Sequence, residues 1–326
     1  MEVVDTRALG GILDYQPTEF TFAAGAGTPL EEIQATLREQ GQHLPFDPPL
    51  AARGATLGGT LAAGLSGPGR LRHGGLRDFV LAVAWVDGRG ELRRGGAPVV
   101  KNSAGFDLPK MMVGSLGRLG ILTELTFKVF PHPPAFRTWH FEFDGLSEVH
   151  RALSRLARLA FDLEAVEIRP PGSVWVRLGG PEESLAHRGE RLTGSLGAGS
   201  FEARAQEWSG SSEAQIWHDL LHFTWAATDH ALVKIPSSLG HLLRLDQMLE
   251  NLGALRRHSA LGAVTWAALP PSRLPDLHRD LGRRGLSGLL LRPSHEDSPF
   301  LGVWSPSHFL RRIRSVLDPQ NRFPSF

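Results

Sequence analysis

The sequence predicts an α+β protein built from two domains. Three observations support this class: paired glycines separate β-rich segments in the first 134 residues, prolines cluster at Pro131, Pro133 and Pro134, and strands alternate with amphipathic helices beyond them. A proline cluster is typical of a domain boundary, because proline lacks a backbone donor and disfavours helix in the residue before it. We expect one domain over residues 1–135, a second over 138–300, and a C-terminal helix and tail, 301–326, that returns to the first.

The first domain is predicted to be β-rich with short helices. Apolar residues that alternate or run together predict strands at Glu2–Asp5, Glu19–Ala24, Phe79–Val86, Glu91–Arg94 and Ile121–Phe130. Helices are expected over 28–40 and 108–113, with Thr28 and Asp107 as their N-caps. The segment Leu44–Pro49 is expected to be extended, because residues that precede proline avoid the helical region.

The second domain repeats an order of strand, helix, two strands and helix. Strands are predicted at Thr138–Phe143, Leu163–Arg169, Val174–Leu178, His230–Ile235, Ala254–Ser259, Ala263–Leu269 and Gly288–Arg292. Helices are predicted at Leu146–Leu159, Glu182–Leu192, Glu213–Phe223, Leu239–Leu252, Ser272–Gly282 and Pro306–Val316. The stretch 194–210 is expected to be a mobile loop. This order predicts an antiparallel sheet with helices on one side.

Composition excludes several functional classes. The chain has 326 residues, a formal charge of +1 and no cysteine. The near-zero charge argues against nucleic acid as a partner, and the lack of cysteine excludes a disulfide, a thiol nucleophile and a cysteine-ligated iron–sulfur cluster in this chain. Acids at positions 2 and 5 are unlike a secretory leader, and no apolar run approaches the ~20 residues that span a bilayer. We expect a cytoplasmic protein, with any membrane contact peripheral and made through partners.

Five glycine-containing segments follow one another in the first domain. They read ATLGGTLA from residue 55, SGP from 66, RHGGLRD from 72, KNSAGFDL from 101 and GSLGRLGILTE from 114. Glycine has no Cβ, so it lets the backbone approach a ligand closely or adopt positive φ. The pattern predicts a groove lined by backbone that holds a cofactor.

In these segments the chain resembles the flavoproteins with the FAD-binding fold of vanillyl-alcohol oxidase and p-cresol methylhydroxylase. Within that family it is most similar to the E subunits of bacterial glycolate oxidase. The similarity is strong from about residue 4 to 134. After residue 134 only the order of the predicted strands and helices is similar. It implies FAD as cofactor, a truncated p-cresol methylhydroxylase-type (PCMH-type) FAD-binding domain, and a substrate-type cap in the second domain.

The resemblance also implies cofactor-binding positions. The first loops would direct backbone N–H groups at the ribityl chain and diphosphate, and the last loop would contact the adenine edge. We expect Gly59→Val and Gly120→Val to damage the groove more than the fold. His73 stands where the family usually has tyrosine, and it is either a flavin contact or a partly exposed structural residue. The full set is Thr56, Gly58, Gly59, Ser66, Gly67, His73, Gly74, Gly120, Ile121 and Leu122.

The chain also departs from the family pattern. It begins after the segment that carries the family's diphosphate loop, and its C-terminal signature is altered from Asp318 onward. We therefore expect the isolated chain to purify with little FAD. The H-x-G-D-G-N motif of the catalytic subunits is absent, so the catalytic residues stay unknown. His218 and His222 lack the glutamate of an H-E-x-x-H site, so no metal is predicted there.

Three functions remain open. The first is an auxiliary subunit of a glycolate oxidase-like complex, in which a catalytic flavin subunit oxidises the 2-hydroxy acid and an iron–sulfur subunit takes the electrons. The second is a self-sufficient FAD-dependent 2-hydroxy-acid dehydrogenase whose true start lies upstream of Met1. The third is a protein-binding module that retains the fold without its cofactor.

Overall fold

The computed structural model describes residues 4–97, 107–197, 204–291, 298–304 and 308–325. The chain forms two compact units, Met1–His132 with Ser305–Phe326, and Pro133–Trp304. The second unit is thus inserted in the sequence of the first. Every strand pairing among the described residues is antiparallel. The α+β class with antiparallel sheets is confirmed.

The first unit contains a five-stranded sheet in the order β1-β2-β6-β4-β5 and a small β3-β7 ribbon. Short helices connect and cover these strands. The elements are β1 (Ile12–Gln16), β2 (Thr21–Gly25), α1 (Leu30–Glu39), β3 (Gln42–His43), α2 (Leu57–Ala63), α3 (Arg70–His73), β4 (Val80–Val86), β5 (Leu92–Gly96), α4 (Leu108–Met112), β6 (Ile121–Lys128) and β7 (Phe130–Pro131).

Aromatic rings fill the core of the first unit. Phe22 on β2 and Phe127 on β6 stack with ring centroids 6.0 Å apart, and Phe46 lies 6.1 Å from Phe127. The helix α1 packs on this core through Leu30, Ile33 and Leu37, which are all buried. Their spacing is that of one helical face, so the burial of this face fixes α1 against the sheet.

One of the two predicted N-caps, Asp107 and Thr28, is found in the structure. Asp107 accepts a hydrogen bond from the Lys110 N–H at 3.2 Å, which confirms Asp107 as the N-cap of α4. Thr28 is not the N-cap of α1. Its hydroxyl donates to the Gly25 carbonyl oxygen at 2.7 Å, and Pro29 takes the N-cap position without a side-chain bond. The buried Thr28 therefore ties the end of β2 instead of starting the helix.

Two predictions for the first unit are wrong. Val4 and Asp5, the described part of the predicted strand Glu2–Asp5, are not in a strand, and the first strand among the described residues is Ile12–Gln16. The segment Leu44–Pro49 contains turns, and Asp47 has a φ of 47° although Pro48 follows it. The Asp47 carboxylate accepts the Gly69 N–H at 2.8 Å, which helps to hold this left-handed conformation.

The second unit contains a nine-stranded sheet in the order β11-β8-β10-β9-β13-β14-β12-β15-β16. Its elements are β8 (Ala135–Glu142), α5 (Leu146–Leu156), β9 (Ala165–Arg169), β10 (Ser173–Gly180), α6 (Glu182–Gly197), β11 (Arg204–Ser209), α7 (Gly210–Leu221), β12 (Ala231–Pro236), α8 (Leu242–Asn251), β13 (Leu255–Ser259), β14 (Val264–Leu269), α9 (Leu274–Arg283), β15 (Ser287–Leu290) and β16 (Phe300–Gly302). The helix α10 (His308–Leu317) follows and belongs to the first unit.

One face of the nine-stranded sheet carries α8 and α9. Leu249 on α8 and Leu277 on α9 share a buried cluster with Val233 and Ala267 of the sheet. We call this the helix-covered face. It also carries α6, since Gly189 packs against Trp139 so closely that an added Cβ would overlap the indole. The prediction of helices on one side thus holds for these three helices.

The helix α7 lies on the opposite face. Trp217 of α7 packs with Trp175 and Ala165, whose side chains alternate with those that point to the helix-covered face. A buried ion pair anchors α7 there, since Arg177 Nε donates to Glu213 Oε1 at 2.7 Å. Away from α7 this face is rich in charged and aromatic side chains, and we call it the polar face.

The stretch 194–210 is not a single loop. The helix α6 extends to Gly197, and residues 204–209 form β11, which pairs with β8 at the edge of the sheet. Residues 198–203 lie outside the described part of the chain. The predicted segments 101–106 and 292 lie outside it as well, whereas the short strand β16 is an element that the sequence pattern did not predict.

The C-terminal tail is held by a buried carboxylate. Asp318 is 1% exposed and accepts the N–H groups of Arg322 at 2.8 Å and Phe323 at 3.0 Å. The Gly88 N–H, in the β4-β5 turn, donates to the carbonyl oxygen of Leu317 at 2.8 Å. An added Cβ at Gly88 would lie 2.3 Å from Asp318 Oδ1, so the turn and the tail fit only with glycine at this position.

Candidate functional site

The first glycine-rich loop forms the start of α2. Thr56 is the N-cap of this helix, and its Oγ1 accepts the Gly59 N–H at 3.1 Å. The Gly58 N–H donates to the Ala26 carbonyl oxygen at 2.8 Å, and an added Cβ at Gly58 would lie 2.7 Å from the Ala26 Cβ. Gly58 is therefore required for the close packing of α2 against the residue that follows β2.

Ser66 and Gly67 lie buried between α2 and α3. The Ser66 hydroxyl oxygen accepts the Leu76 N–H at 3.0 Å. The Gly67 N–H donates to the carbonyl oxygens of Phe46 at 2.8 Å and Asp47 at 2.9 Å. Both residues thus brace the loop through bonds within the protein.

These bonds change the interpretation of the loop. The N–H groups of Gly58, Gly59 and Gly67 all donate to acceptors inside the chain. These three amides are therefore engaged within the chain, and the convergence of the loop's amides on a diphosphate stays a prediction. The assignment of the residues themselves to cofactor binding stays a prediction, since Gly59 is exposed and leaves its Cα face open to a ligand.

His73 and Gly74 end α3. The His73 ring lies edge-on to His43, with centroids 6.3 Å apart, and to Phe130 at 5.7 Å. Gly74 has a φ of 87°, and an added Cβ would lie 2.5 Å from Asp78 Oδ2. The geometry therefore places His73 beside the β3-β7 ribbon, and a contact with flavin stays a prediction.

Gly120 is the third glycine of the last glycine segment, and Ile121 and Leu122 start β6. An added Cβ at Gly120 would lie 2.4 Å from Cδ1 of the buried Trp85 and 2.7 Å from the Val86 carbonyl oxygen. The expectation that Gly120→Val spares the fold is wrong, because β4 occupies the space that a side chain needs. Ile121 pairs with Val86 and Leu122 with Trp85 in the β4-β6 ladder, so all three residues brace this ladder.

Buried hydroxyls nearby were missed by the sequence reasoning. Thr60 Oγ1 on α2 and Ser115 Oγ in the last glycine segment are buried, and neither has a hydrogen-bond partner among the described residues. The two segments are joined, since the N–H groups of Gly114 and Leu116 donate to the carbonyl oxygens of Leu61 and Ala62 at 3.0 and 2.9 Å. Buried hydroxyls without partners are costly unless a ligand satisfies them, so this junction fits a polar cofactor. The signal in the sequence was the serine of GSLG.

A second set of functional candidates lies on the polar face of the nine-stranded sheet. Glu167 on β9 is 2% exposed, and Arg257 on β13 is half-buried near it. Trp175 on β10 stacks on the His140 ring with centroids 4.5 Å apart. The sequence reasoning missed this cluster, although a lone glutamate in the apolar strand Ala165–Arg169 was a signal for it.

Burial shifts the protonation equilibria of this cluster. Desolvation raises the pKa of Glu167 from 4.5 to about 8, although a hydrogen bond with Ser259 and the charge of Arg257 act in the other direction. Desolvation lowers the pKa of Arg257 to about 10, and the charge of Arg169 contributes to the decrease. Burial also lowers the pKa of His140. Strongly perturbed groups gathered on one face mark a candidate site.

Within residues 4–97, 107–197, 204–291, 298–304 and 308–325, no group of three or more histidine, aspartate or glutamate side chains could hold a metal ion. The ring centroids of His218 on α7 and of His222, the C-cap of this helix, lie 4.2 Å apart. Among the described helices, none has the length and apolar character that crossing a membrane requires.

Residues 2–96 match a family model described as an FAD binding domain. This match and the relatives described below support the resemblance to the PCMH-type FAD-binding family. The match covers the loops that hold Thr56, Ser66 and His73, and it supports FAD as the cofactor. The residues present fit this cofactor at the α2 junction, where Thr60 and Ser115 leave buried hydroxyls without partners among the described residues.

Comparison with known proteins gives the same family. Glycolate oxidase subunit GlcE of Escherichia coli is 40% identical over 210 residues, which are 63% of this chain and 58% of that protein. D-2-hydroxyglutarate dehydrogenase of Xanthomonas citri pv. viticola is 35% identical over 161 residues, 48% of this chain and 34% of the relative. The matched region thus spans less than two thirds of the length of either relative.

The fold has a counterpart among solved structures. Alkyldihydroxyacetonephosphate synthase superposes with a TM-score of 0.68 and 18% sequence identity, over 97% of this chain and 66% of that one. At this identity the likeness concerns the fold alone. The same fold therefore occurs in a longer protein.

Proposed function

We propose that this chain is a subunit of a glycolate oxidase-like flavoprotein complex that oxidises a 2-hydroxy acid. The observation that carries the proposal is the 40% identity to a glycolate oxidase subunit, in a chain whose residues 2–96 match an FAD binding domain. The auxiliary role belongs to the proposal, because the H-x-G-D-G-N motif is absent from the sequence. Catalysis is then assigned to a partner subunit.

The cofactor is proposed to bind along the glycine segments of the first unit. Thr56, Gly59 and Gly74 would line the groove by backbone, and Ser115 Oγ and Thr60 Oγ1 would gain the hydrogen-bond partners that they lack among the described residues. The remaining predicted positions, Gly58, Ser66, Gly67, His73, Gly120, Ile121 and Leu122, would shape the groove. When bound, FAD would supply a carrier for two electrons.

The second unit is proposed to be the substrate-type cap. Its polar face offers arginine and aromatic side chains, which suit a small anionic substrate, whereas its helix-covered face is filled by apolar packing. The partners are proposed to be a catalytic flavin subunit and an iron–sulfur subunit. Since the chain has no cysteine, a cysteine-ligated cluster would have to lie on another polypeptide.

Expression alone and with the catalytic flavin subunit tests this proposal. We expect glycolate-dependent reduction of a dye acceptor by the pair and none by this chain alone. Flavin content is read from the absorbance of oxidised isoalloxazine, and Ser115→Ala should lower flavin content while Ser315→Ala, an exposed site on α10, should leave it unchanged. Turnover by this chain alone would refute the auxiliary role, and a flavin content of the pair that Ser115→Ala leaves unchanged would refute FAD binding at this junction.

A further inference from the structure

Two arginines flank one tryptophan on the polar face. The guanidinium carbon of Arg169 on β9 lies 5.1 Å from the centroid of the Trp175 ring, and that of Arg257 on β13 lies 5.6 Å from it. Arg257 also lies 5.5 Å from the Trp225 ring. The two strands pair at His258 and Ile168, so Arg257 and Arg169 occupy the adjoining position of neighbouring strands. Positive charge is therefore concentrated at one place on an aromatic surface.

Neither of the two arginines has an ion-pair partner within the described part of the chain. Among the described residues, Arg257 forms no hydrogen bond and no ion pair, and Arg169 donates one long bond of 3.4 Å to the Ser173 hydroxyl. Asp219 on α7 acts on Arg257 through its charge without forming an ion pair. Like charges on adjacent strands are destabilising, so this arrangement needs an explanation.

Other half-buried arginines of the same unit are paired. Arg177 forms an ion pair with Glu213 at 2.7 Å, and Arg256 forms one with Asp246 at 2.6 Å. The fold thus neutralises arginine where the role is to hold a helix in place. Arg257 points to the opposite side of β13 from Arg256 and has no such partner among the described residues. Its guanidinium is set up to receive an acceptor from outside the chain.

A buried acceptor lies next to the arginines. Glu167 Oε1 has no hydrogen-bond partner among the described residues, although the side chain is 2% exposed. Glu167 pairs across the ladder with Trp175 on one side and Ser259 on the other, and the charge of Arg257 acts on it. The cluster therefore offers donors for an anion and one oxygen for a polar group attached to that anion.

We propose that Arg257 and Arg169 bind the carboxylate of a small 2-hydroxy acid on the polar face, with Glu167 Oε1 as hydrogen-bond partner of its hydroxyl. This inference rests on the proposed function, and it adds a substrate site on this chain itself. The planar guanidinium suits a carboxylate, since it can donate two parallel hydrogen bonds. Trp175 and Trp225 form the walls that hold the guanidinium groups in place.

Ligand titration of the full chain tests the site. The probes are glycolate, acetate, which lacks the hydroxyl, and inorganic phosphate, each followed by calorimetry and by the fluorescence of the cluster tryptophans. We expect saturable glycolate binding that is tighter than acetate binding. Arg257→Gln should weaken it by about 10- to 100-fold, because one charge-assisted contact is lost. Arg257→Lys should recover part of the loss, since the charge returns without the bidentate geometry.

Matched variants separate binding from folding. Arg283→Gln removes an exposed arginine on α9 that faces Asp280, and it should leave glycolate binding unchanged. Glu167→Met, of similar length, should remove the preference for glycolate over acetate, whereas Glu167→Gln should keep it. Thermal unfolding of each variant confirms that it is folded.

Three results would overturn this inference: no saturable glycolate binding by the full chain, equal affinity in the folded Arg257→Gln variant, or phosphate binding tighter than glycolate. Flavin content and dye reduction of the co-expressed pair are measured separately. A pair that keeps flavin and turnover while this chain fails to bind glycolate refutes the site and leaves the proposed function standing.

Discussion

The Glu167→Gln variant should be more stable than the native protein, by an amount that grows as pH rises. Burial raises the pKa of Glu167 from 4.5 to about 8 in the folded protein, so between these values the folded chain keeps a proton that the unfolded chain loses. The free energy of unfolding of the native protein therefore decreases over this window. Glutamine has the same shape and does not ionise, so the variant lacks the decrease.

The magnitude follows from the window. Each pH unit between 4.5 and about 8 contributes ~1.4 kcal/mol, so the advantage of Glu167→Gln grows from near zero at pH 4.5 to at most ~5 kcal/mol near pH 8. Above pH 8 the side chain is ionised in both states, and the difference becomes constant. A few kilocalories is a large share of the stability of an ordinary domain.

Urea unfolding at several pH values between 4.5 and 9 measures this difference directly. Glu190→Gln is the matched control, because the Glu190 side chain is 81% exposed, and its curve should follow that of the native protein. Parallel curves for the native protein and Glu167→Gln across the whole window would show that Glu167 ionises as it does in water, and the reasoning from burial would be refuted.

Three further substitutions test the supports of the fold. Glu213→Gln leaves the Arg177 charge without its buried partner and should lower the free energy of unfolding by about 3–5 kcal/mol, measured by urea unfolding. Gly120→Ala brings a Cβ to 2.4 Å from Trp85 and should cost about 1–3 kcal/mol, read as a lower melting temperature. Asp318→Ala removes two charge-assisted bonds to the tail, should cost about 2 kcal/mol, and should speed trimming by carboxypeptidase.

Controls for these variants lie in the same chain. Gly117→Ala has a φ of 73° but open space around the added Cβ, so it should cost about 1 kcal/mol and less than Gly120→Ala. Asp280→Ala on α9 removes an exposed ion pair and should leave tail trimming unchanged. A Glu213→Gln variant as stable as the native chain would mean that packing of Trp217 alone holds α7, and equal costs at Gly120 and Gly117 would contradict the steric argument.

The sequence predicted most elements because their signals are local. Asp107 capped α4 as expected, since an N-cap depends on residues three positions apart. Thr28 failed as a cap because a carbonyl oxygen of β2 competes for its hydroxyl. The strand β11 was missed because it pairs at the sheet edge with β8, and that pairing is not visible in the local pattern.

The candidate sites were less predictable, since they depend on distant contacts. Gly58 and Gly120 stood out as glycines, but only the structure shows that Ala26 and Trp85 occupy the space beside them. The apolar alternation around Glu167 indicated a strand, and the arginine beside it comes from a strand much later in the sequence. Spacing alone could not bring the two together.

The contacts of Leu317 and Asp318 with the β4-β5 turn affect the order in which the chain completes its fold. The β4-β5 turn is synthesised early. Its residue Gly88 contacts Leu317 and Asp318, which are synthesised much later. During synthesis the first unit is therefore unfinished until Leu317 and Asp318 emerge, whereas the described strands of the inserted unit all precede these residues. Loss of the Asp318 side chain is therefore expected to disturb the β4-β5 turn, which lies far earlier in the sequence.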